Sequence, residues 1–93
     1  MRIIAGNFKG VVIFAPKDKK IRPLKDIVRE SIFNFLAHSN KIPFQIEGAN
    51  ILDLYSGTGS FGLECISREA ANVIFIEKEK EAINLLEKNI QKL

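Results

Sequence analysis

The 93 residues hold one cysteine, one histidine, one tyrosine and no tryptophan. A single Cys65 closes no intramolecular disulfide, and no Cys/His cluster has metal-ligand spacing. No apolar run approaches the roughly 20 residues a membrane-spanning helix needs. Met1-Arg2-Ile3-Ile4 has no long apolar continuation, so no secretory signal peptide is expected. Six glycines and three prolines are too few for a low-complexity or collagen-like chain, and there are no internal repeats. What is left is an ordinary globular composition, 46% hydrophobic and 27% charged, sized for one small domain. The expected compartment is the cytoplasm. So short a chain buries a modest share of its surface, and marginal stability follows.

Charge is unevenly spread. Residues 1–41 carry nine basic residues against three acidic ones, a net of +6, whereas residues 42–93 carry five against eight, a net of −3. A basic front attracts phosphate backbones by charge and counterion release. Arg2, Lys9, Lys17, Lys19, Lys20 and Arg22 are the candidates for nucleic-acid phosphate contact, and charge alone does not distinguish RNA from DNA. A solvated basic surface would explain the same charge equally well.

Arg2-Ile3-Ile4-Ala5 and Val11-Val12-Ile13-Phe14 flank turn residues and predict an N-terminal β-hairpin ended by Pro16. A basic loop leads to Pro23. Leu24, Val28, Ile32 and Phe35/Leu36 recur at helical spacing and predict a helix over 24–37 with that stripe inward. Phe33, Phe35 and Leu36 read as core, and His38 as a cap or surface residue. Residues 50–55 predict a buried strand and 61–71 a helix with Leu63, Ile66 and Ala70 inward. Residues 72–76 predict a second strand, and 79–93 a helix striped by Ile83, Leu86, Ile90 and Leu93. The order β-α-β-α predicts an α/β fold with a parallel sheet and a right-handed crossover. Two strands are half of a doubly wound sheet. Residues 24–93 are therefore expected to form the first half of a cofactor-binding domain, and residues 1–23 a basic hairpin and loop in front of it.

Asp53 to Gly62 carries the chemistry. Gly57, Gly59 and Gly62 satisfy G-x-G-x-x-G between a strand and a helix, where bare N–H groups face a crevice. Alone, that pattern is common. Glu77 ends the next strand 20 residues after Gly57, where a carboxylate can accept hydrogen bonds from two ribose hydroxyls. NAD and S-adenosylmethionine both carry such a ribose. Asp53, at the first strand's tip, favours S-adenosylmethionine, because a carboxylate repels a pyrophosphate and attracts sulfonium and ammonium groups. The candidate cofactor-binding residues are Asp53, Tyr55, Ser56, Gly57, Thr58, Gly59, Ser60, Glu77 and Lys78.

Three segments resemble the bacterial small-subunit rRNA guanine-N2 methyltransferases, the ribosomal small-subunit methyltransferase D family. They are Arg2-Ile3-Ile4-Ala5-Gly6 with Phe8-Lys9-Gly10, Arg22-Pro23 with Val28 to Asn34, and Leu52 to Glu64 with Ser67-Arg68. The resemblance spans the whole chain. It implies a Rossmann-like, S-adenosylmethionine-dependent methyltransferase fold. It also implies methyl transfer to a guanine amine of ribosomal RNA, free or in a partly assembled small subunit, with the base flipped out of its stack. The family's catalytic motif, Asn/Asp-Pro-Pro-Tyr/Phe, has no counterpart here, since the only prolines are Pro16, Pro23 and Pro43. No catalytic residue is carried over, and the chain is expected to be inactive alone. Leu24 stands where the family usually has threonine, and Glu69 where it often has glycine.

Three other readings stay open on the residues alone. One is an NAD-binding domain. The second is a non-catalytic RNA- or cofactor-binding module. The third is a piece of a larger protein that self-associates through a sheet edge exposing Ile51, Leu52, Val73 and Ile74.

Overall fold

Among the described residues, five elements follow one another much as the hydrophobic spacing implied. They are α1 (Asp26–His38), β1 (Asn50–Leu54), α2 (Ser60–Ser67), β2 (Asn72–Ile76) and α3 (Lys80–Gln91). The computed structural model describes residues 1–15, 26–38 and 44–93. The predicted basic loop, with Leu24 and Pro43, lies outside these residues. β1 and β2 pair in parallel, from Asn50 opposite Asn72 to Leu54 opposite Ile76. Parallel neighbours need a crossover, and α2 supplies it.

The expected hairpin exists in minimal form. Arg2 and Val12 make one antiparallel bridge. Beside it Ile3 N–H donates to the Val11 carbonyl (3.0 Å), Gly10 N–H to Ile3 (2.8 Å) and Ile13 N–H to Met1 (2.9 Å). Side chains of α2 satisfy further main-chain groups of the hairpin. Glu64, with no exposure, accepts from the Ile4 and Ala5 N–H groups (2.9 and 3.1 Å) and from Arg68 Nε (2.9 Å). Ser67 Oγ donates to the Ala5 carbonyl (2.6 Å) and accepts from Phe8 N–H (2.9 Å). Buried backbone groups require such partners.

Among the described residues, two apolar clusters fill the interior. Ile3, Ile13 and Leu63 join the hairpin to α2, with Phe8, Val11, Ile66, Phe75 and Leu93 around them. Phe33, Ile46 and Cys65 form the other, against Ile51, Phe61, Ala70 and Val73. Phe33 stacks on Phe61 at 4.9 Å between centroids, under the Arg68 guanidinium at 4.5 Å.

The structure corrects several orientations. On α1 the buried face is Arg29 and Phe33, while Val28 and Phe35 are exposed. Apolar residues surround this helix, so their spacing admits more than one face. The Phe33 ring stack and the Arg29 guanidinium, which donates to the Arg2 carbonyl, set its rotation. On α3 the buried line is Ala82, Leu86 and Asn89, whereas Ile90 is exposed. α2 ends at Ser67, short of the expected Ala71. The strands are covered on one face only. Ile51, Val73 and Phe75 pack into the clusters, while Leu52, Leu54, Ile74 and Ile76 alternate with them and are exposed. Of the expected exposed-edge residues, Leu52 and Ile74 are therefore open, but Ile51 and Val73 are half-buried.

Candidate functional site

β1 delivers the chain to a reversal at the tip of the sheet. Tyr55 takes a φ of 56°, uncommon for a bulky residue, and its ring is 86% exposed. Ser56 then fastens the loop to β2, its N–H donating to the Ile76 carbonyl (3.0 Å) and its hydroxyl to the same oxygen (3.3 Å). Gly59, at φ 89°, turns the chain into α2, where a side chain would strike Leu86 Cδ1. Gly62 lets the first turn of α2 lie on β2, since a Cβ there would meet the Phe75 ring and come within 2.9 Å of Val73 Cγ1. Each glycine thus has a physical task, as the motif's logic requires.

Two carboxylates frame the loop. Asp53 is 8% exposed and accepts from Gly62 N–H at 3.1 Å. Burial pushes its pKa above the ordinary value; the Gly62 bond opposes this, and the charge of Glu77 adds to it. Glu77, just past β2, accepts from Gly57 N–H (2.9 Å) through one oxygen and from Lys78 and Glu79 N–H (3.0 and 2.9 Å) through the other. The Glu79 and Gly57 bonds hold its pKa below the ordinary value. Glu77 therefore joins the glycine loop to the chain entering α3. Its carboxylate stays ionised at neutral pH.

Of the residues singled out by sequence, the structure gathers Asp53, Ser56, Gly57, Thr58, Gly59, Ser60 and Glu77 around the C-terminal ends of the two strands. Thr58 and Ser60 are buried, Ser56 nearly so, and Gly57 half-buried. Tyr55 and Lys78 flank the loop and are exposed. Arg2 and Lys9 are exposed on the hairpin, with Arg2 Nη1 donating to the Gly10 carbonyl at 3.3 Å. Lys17, Lys19, Lys20 and Arg22 lie outside the described residues. Asp53 and Glu77 set negative charge at the loop, which disfavours anions and suits cationic and hydroxyl-bearing ligands.

This loop sits in a chain that matches, over residues 1–93, the family described as conserved hypothetical protein 95. The chain belongs to that family. It is 39% identical over 93 residues to the ribosomal RNA small subunit methyltransferase D of Haemophilus influenzae, covering 100% of this chain and 45% of the relative. The Escherichia coli K12 protein of the same name is 38% identical, with 100% and 44% covered. A solved E. coli structure, provisionally described as a methyltransferase, superposes with a TM-score of 0.80 at 35% identity, over 99% of this chain and 46% of that one. A hypothetical protein of Thermus thermophilus gives 0.75 at 29% identity, with 99% and 49% covered. The chain thus spans about half the length of the relatives it matches.

Two residues of this region escaped the sequence reading. Asn89, 1% exposed, donates to the Thr58 carbonyl at 2.9 Å. Glu64 holds the hairpin. Each is a polar residue inside an apolar helical stripe, a signal present in Phe61-Gly62-Leu63-Glu64-Cys65-Ile66 and in Leu86 to Ile90. The Cys65 thiol is pushed up to about 12 by burial first and by the charges of Asp53 and Glu64 next, so it is no nucleophile at neutral pH. Among the described residues no group of His, Cys, Asp and Glu is placed to hold a metal ion. No described helix is long and apolar enough to cross a membrane.

Proposed function

We propose that this chain is the cofactor-binding half of an S-adenosylmethionine-dependent methyltransferase with a Rossmann-like domain. Its proposed substrate is a guanine amine, N2, of small-subunit ribosomal RNA, free or in a partly assembled subunit in the cytoplasm. The carrying observation is the loop at the ends of two parallel strands, held by one buried carboxylate and one ionised carboxylate. The names of the relatives support the reaction and the RNA. When bound, S-adenosylmethionine supplies an activated methyl group on a sulfonium.

The residues fit that cofactor. The two oxygens of Glu77 accept three backbone bonds, leaving acceptor capacity for a ribose hydroxyl. Asp53 orders the loop through Gly62 and sets a negative potential toward the cationic methionine end. Gly57 and Gly59 admit the cofactor close to the backbone, and Ser56, Thr58 and Ser60 border it, with Tyr55 and Lys78 at the mouth. Residues 1–23 serve as the RNA-binding segment. There Arg2, Lys9, Lys17, Lys19, Lys20 and Arg22 contact phosphates, which positions RNA without reading its sequence. None of residues 1–93 is assigned a catalytic role.

Calorimetric titration of the protein expressed from its native gene tests the cofactor. S-adenosylmethionine should bind, NADH should not, and Glu77→Ala and Asp53→Ala should each weaken binding by about tenfold or more, the scale of a lost charge-assisted hydrogen bond. Binding of NADH in place of S-adenosylmethionine would sink the proposal. The RNA assignment is checked separately. Affinity for a small-subunit rRNA transcript should fall linearly on a log–log plot against salt, by about 0.7 per phosphate neutralised, and a flat line would refute it.

A further inference from the structure

We propose that Asn89 is a positioning residue that ties the hairpin to the glycine loop, so that the cofactor loop and the base of the basic segment move as one unit. This rests on reading the loop as the cofactor site.

Asn89 occupies a line on α3 whose other buried members are Ala82 and Leu86. A buried carboxamide is costly unless its donors and acceptor are met. Here its Oδ1 accepts from Phe14 N–H at 2.7 Å, and its Nδ2 donates to the Phe14 carbonyl at 3.1 Å and to the Thr58 carbonyl at 2.9 Å. The amide orientation is dictated by its surroundings, because the opposite one would set its oxygen against two carbonyl oxygens. Phe14 closes the hairpin and leads directly into the segment bearing Lys17, Lys19, Lys20 and Arg22. Thr58 lies between the two loop glycines. One turn further on, Lys92 Nζ donates to the Val12 carbonyl at 2.6 Å and stands 3.9 Å from the Phe14 ring centroid. These contacts fasten the same stretch of hairpin to the end of α3. The ties from α2, Glu64 and Ser67, reach Ile4, Ala5 and Phe8 instead.

A shared buried amide makes displacement of either segment felt by the other. Linkage is reciprocal, so cofactor in the loop should tighten RNA on the basic segment by the same factor that RNA tightens cofactor.

Asn89→Asp keeps the shape and the acceptor but removes both donations; Asn89→Ala removes all three bonds. Ser67→Ala is the comparator, since it loosens the hairpin without touching the loop. Native-state hydrogen exchange should show faster exchange at Gly59 N–H in both Asn89 variants and not in Ser67→Ala. S-adenosylmethionine affinity should fall about tenfold in the Asn89 variants, the upper range for one buried hydrogen bond, and stay unchanged in Ser67→Ala. The tie is overturned if Gly59 exchange is unaltered, or if Ser67→Ala reproduces both effects. Should the wild type bind no S-adenosylmethionine, the cofactor reading falls, and the exchange experiment still decides the tie. If neither Asn89 variant folds, the wild type suffices. S-adenosylmethionine should then tighten binding of a small-subunit rRNA transcript by about fivefold or more, and no tightening overturns the proposal.

Discussion

Asp53 and Glu77 are two carboxylates at one loop with opposite responses to pH. Glu77 titrates below its ordinary value of 4.5, because backbone N–H groups of Glu79 and Gly57 bind the ionised form. Its stabilisation is therefore present above pH 4.5 and is lost as pH falls through the native value. Asp53 titrates above its ordinary 3.8, because burial disfavours its charge. The native state holds that proton longer, so its contribution is full below pH 3.8 and is lost as pH rises through the native value. Thermal unfolding midpoints should separate the two. Glu77→Gln should melt below wild type near about pH 6 and converge with it in acid. Asp53→Asn, whose amide oxygen still accepts from Gly62, should match or exceed wild type near about pH 6 while losing cofactor affinity. A buried carboxylate that costs stability is what a binding site retains for its ligand.

Among the elements, α2 shows how local chemistry and packing meet. Its N-terminal turn depends on Gly59 and Gly62, and both positions were legible as glycines of the loop motif. Its C-terminal end was not. After the cap residue Arg68, Glu69 adopts a φ of 72°, the left-handed conformation in which glycine commonly ends a helix. Glu69→Gly should therefore raise stability by about 1 kcal/mol, the usual cost of a side chain in that conformation, less a small loss from the 3.4 Å bond donated by Asn7 Nδ2. Urea unfolding reads this out as a higher midpoint at unchanged slope. The α1 and α3 faces were misassigned for a related reason. Periodicity counts apolar residues, but Arg29 and Asn89 won buried positions through hydrogen bonds to the hairpin backbone.

At the scale of the molecule, one sheet face is built and the other is bare. Leu52, Leu54, Ile74 and Ile76 form an exposed apolar surface on strands whose opposite face carries the core. Such a surface favours association. The 93-residue chain should therefore sediment as concentration-dependent oligomers, and Leu52→Lys with Ile74→Lys should shift them toward monomer. A wild-type chain that stays monomeric at high concentration, with the double variant indistinguishable from it, would show that this face does not drive association. Along the sequence, residues 1–41 carry the basic excess and residues 42–93, which include the loop carboxylates, the acidic one.

The sequence by itself determined the order of the elements, the parallel pairing of the strands and the place of the loop. Each follows from local signals: β-branched runs, helical spacing, and glycines with carboxylates at fixed intervals. Tertiary structure alone decided which helix faces turn inward, that only one sheet face is covered, and that Glu64, Ser67 and Asn89 hold the hairpin. The reason is that a polar side chain inside an apolar stripe reads as a defect until its partners are known. Those partners lie 59 to 75 residues away along the chain, a distance local patterns do not span.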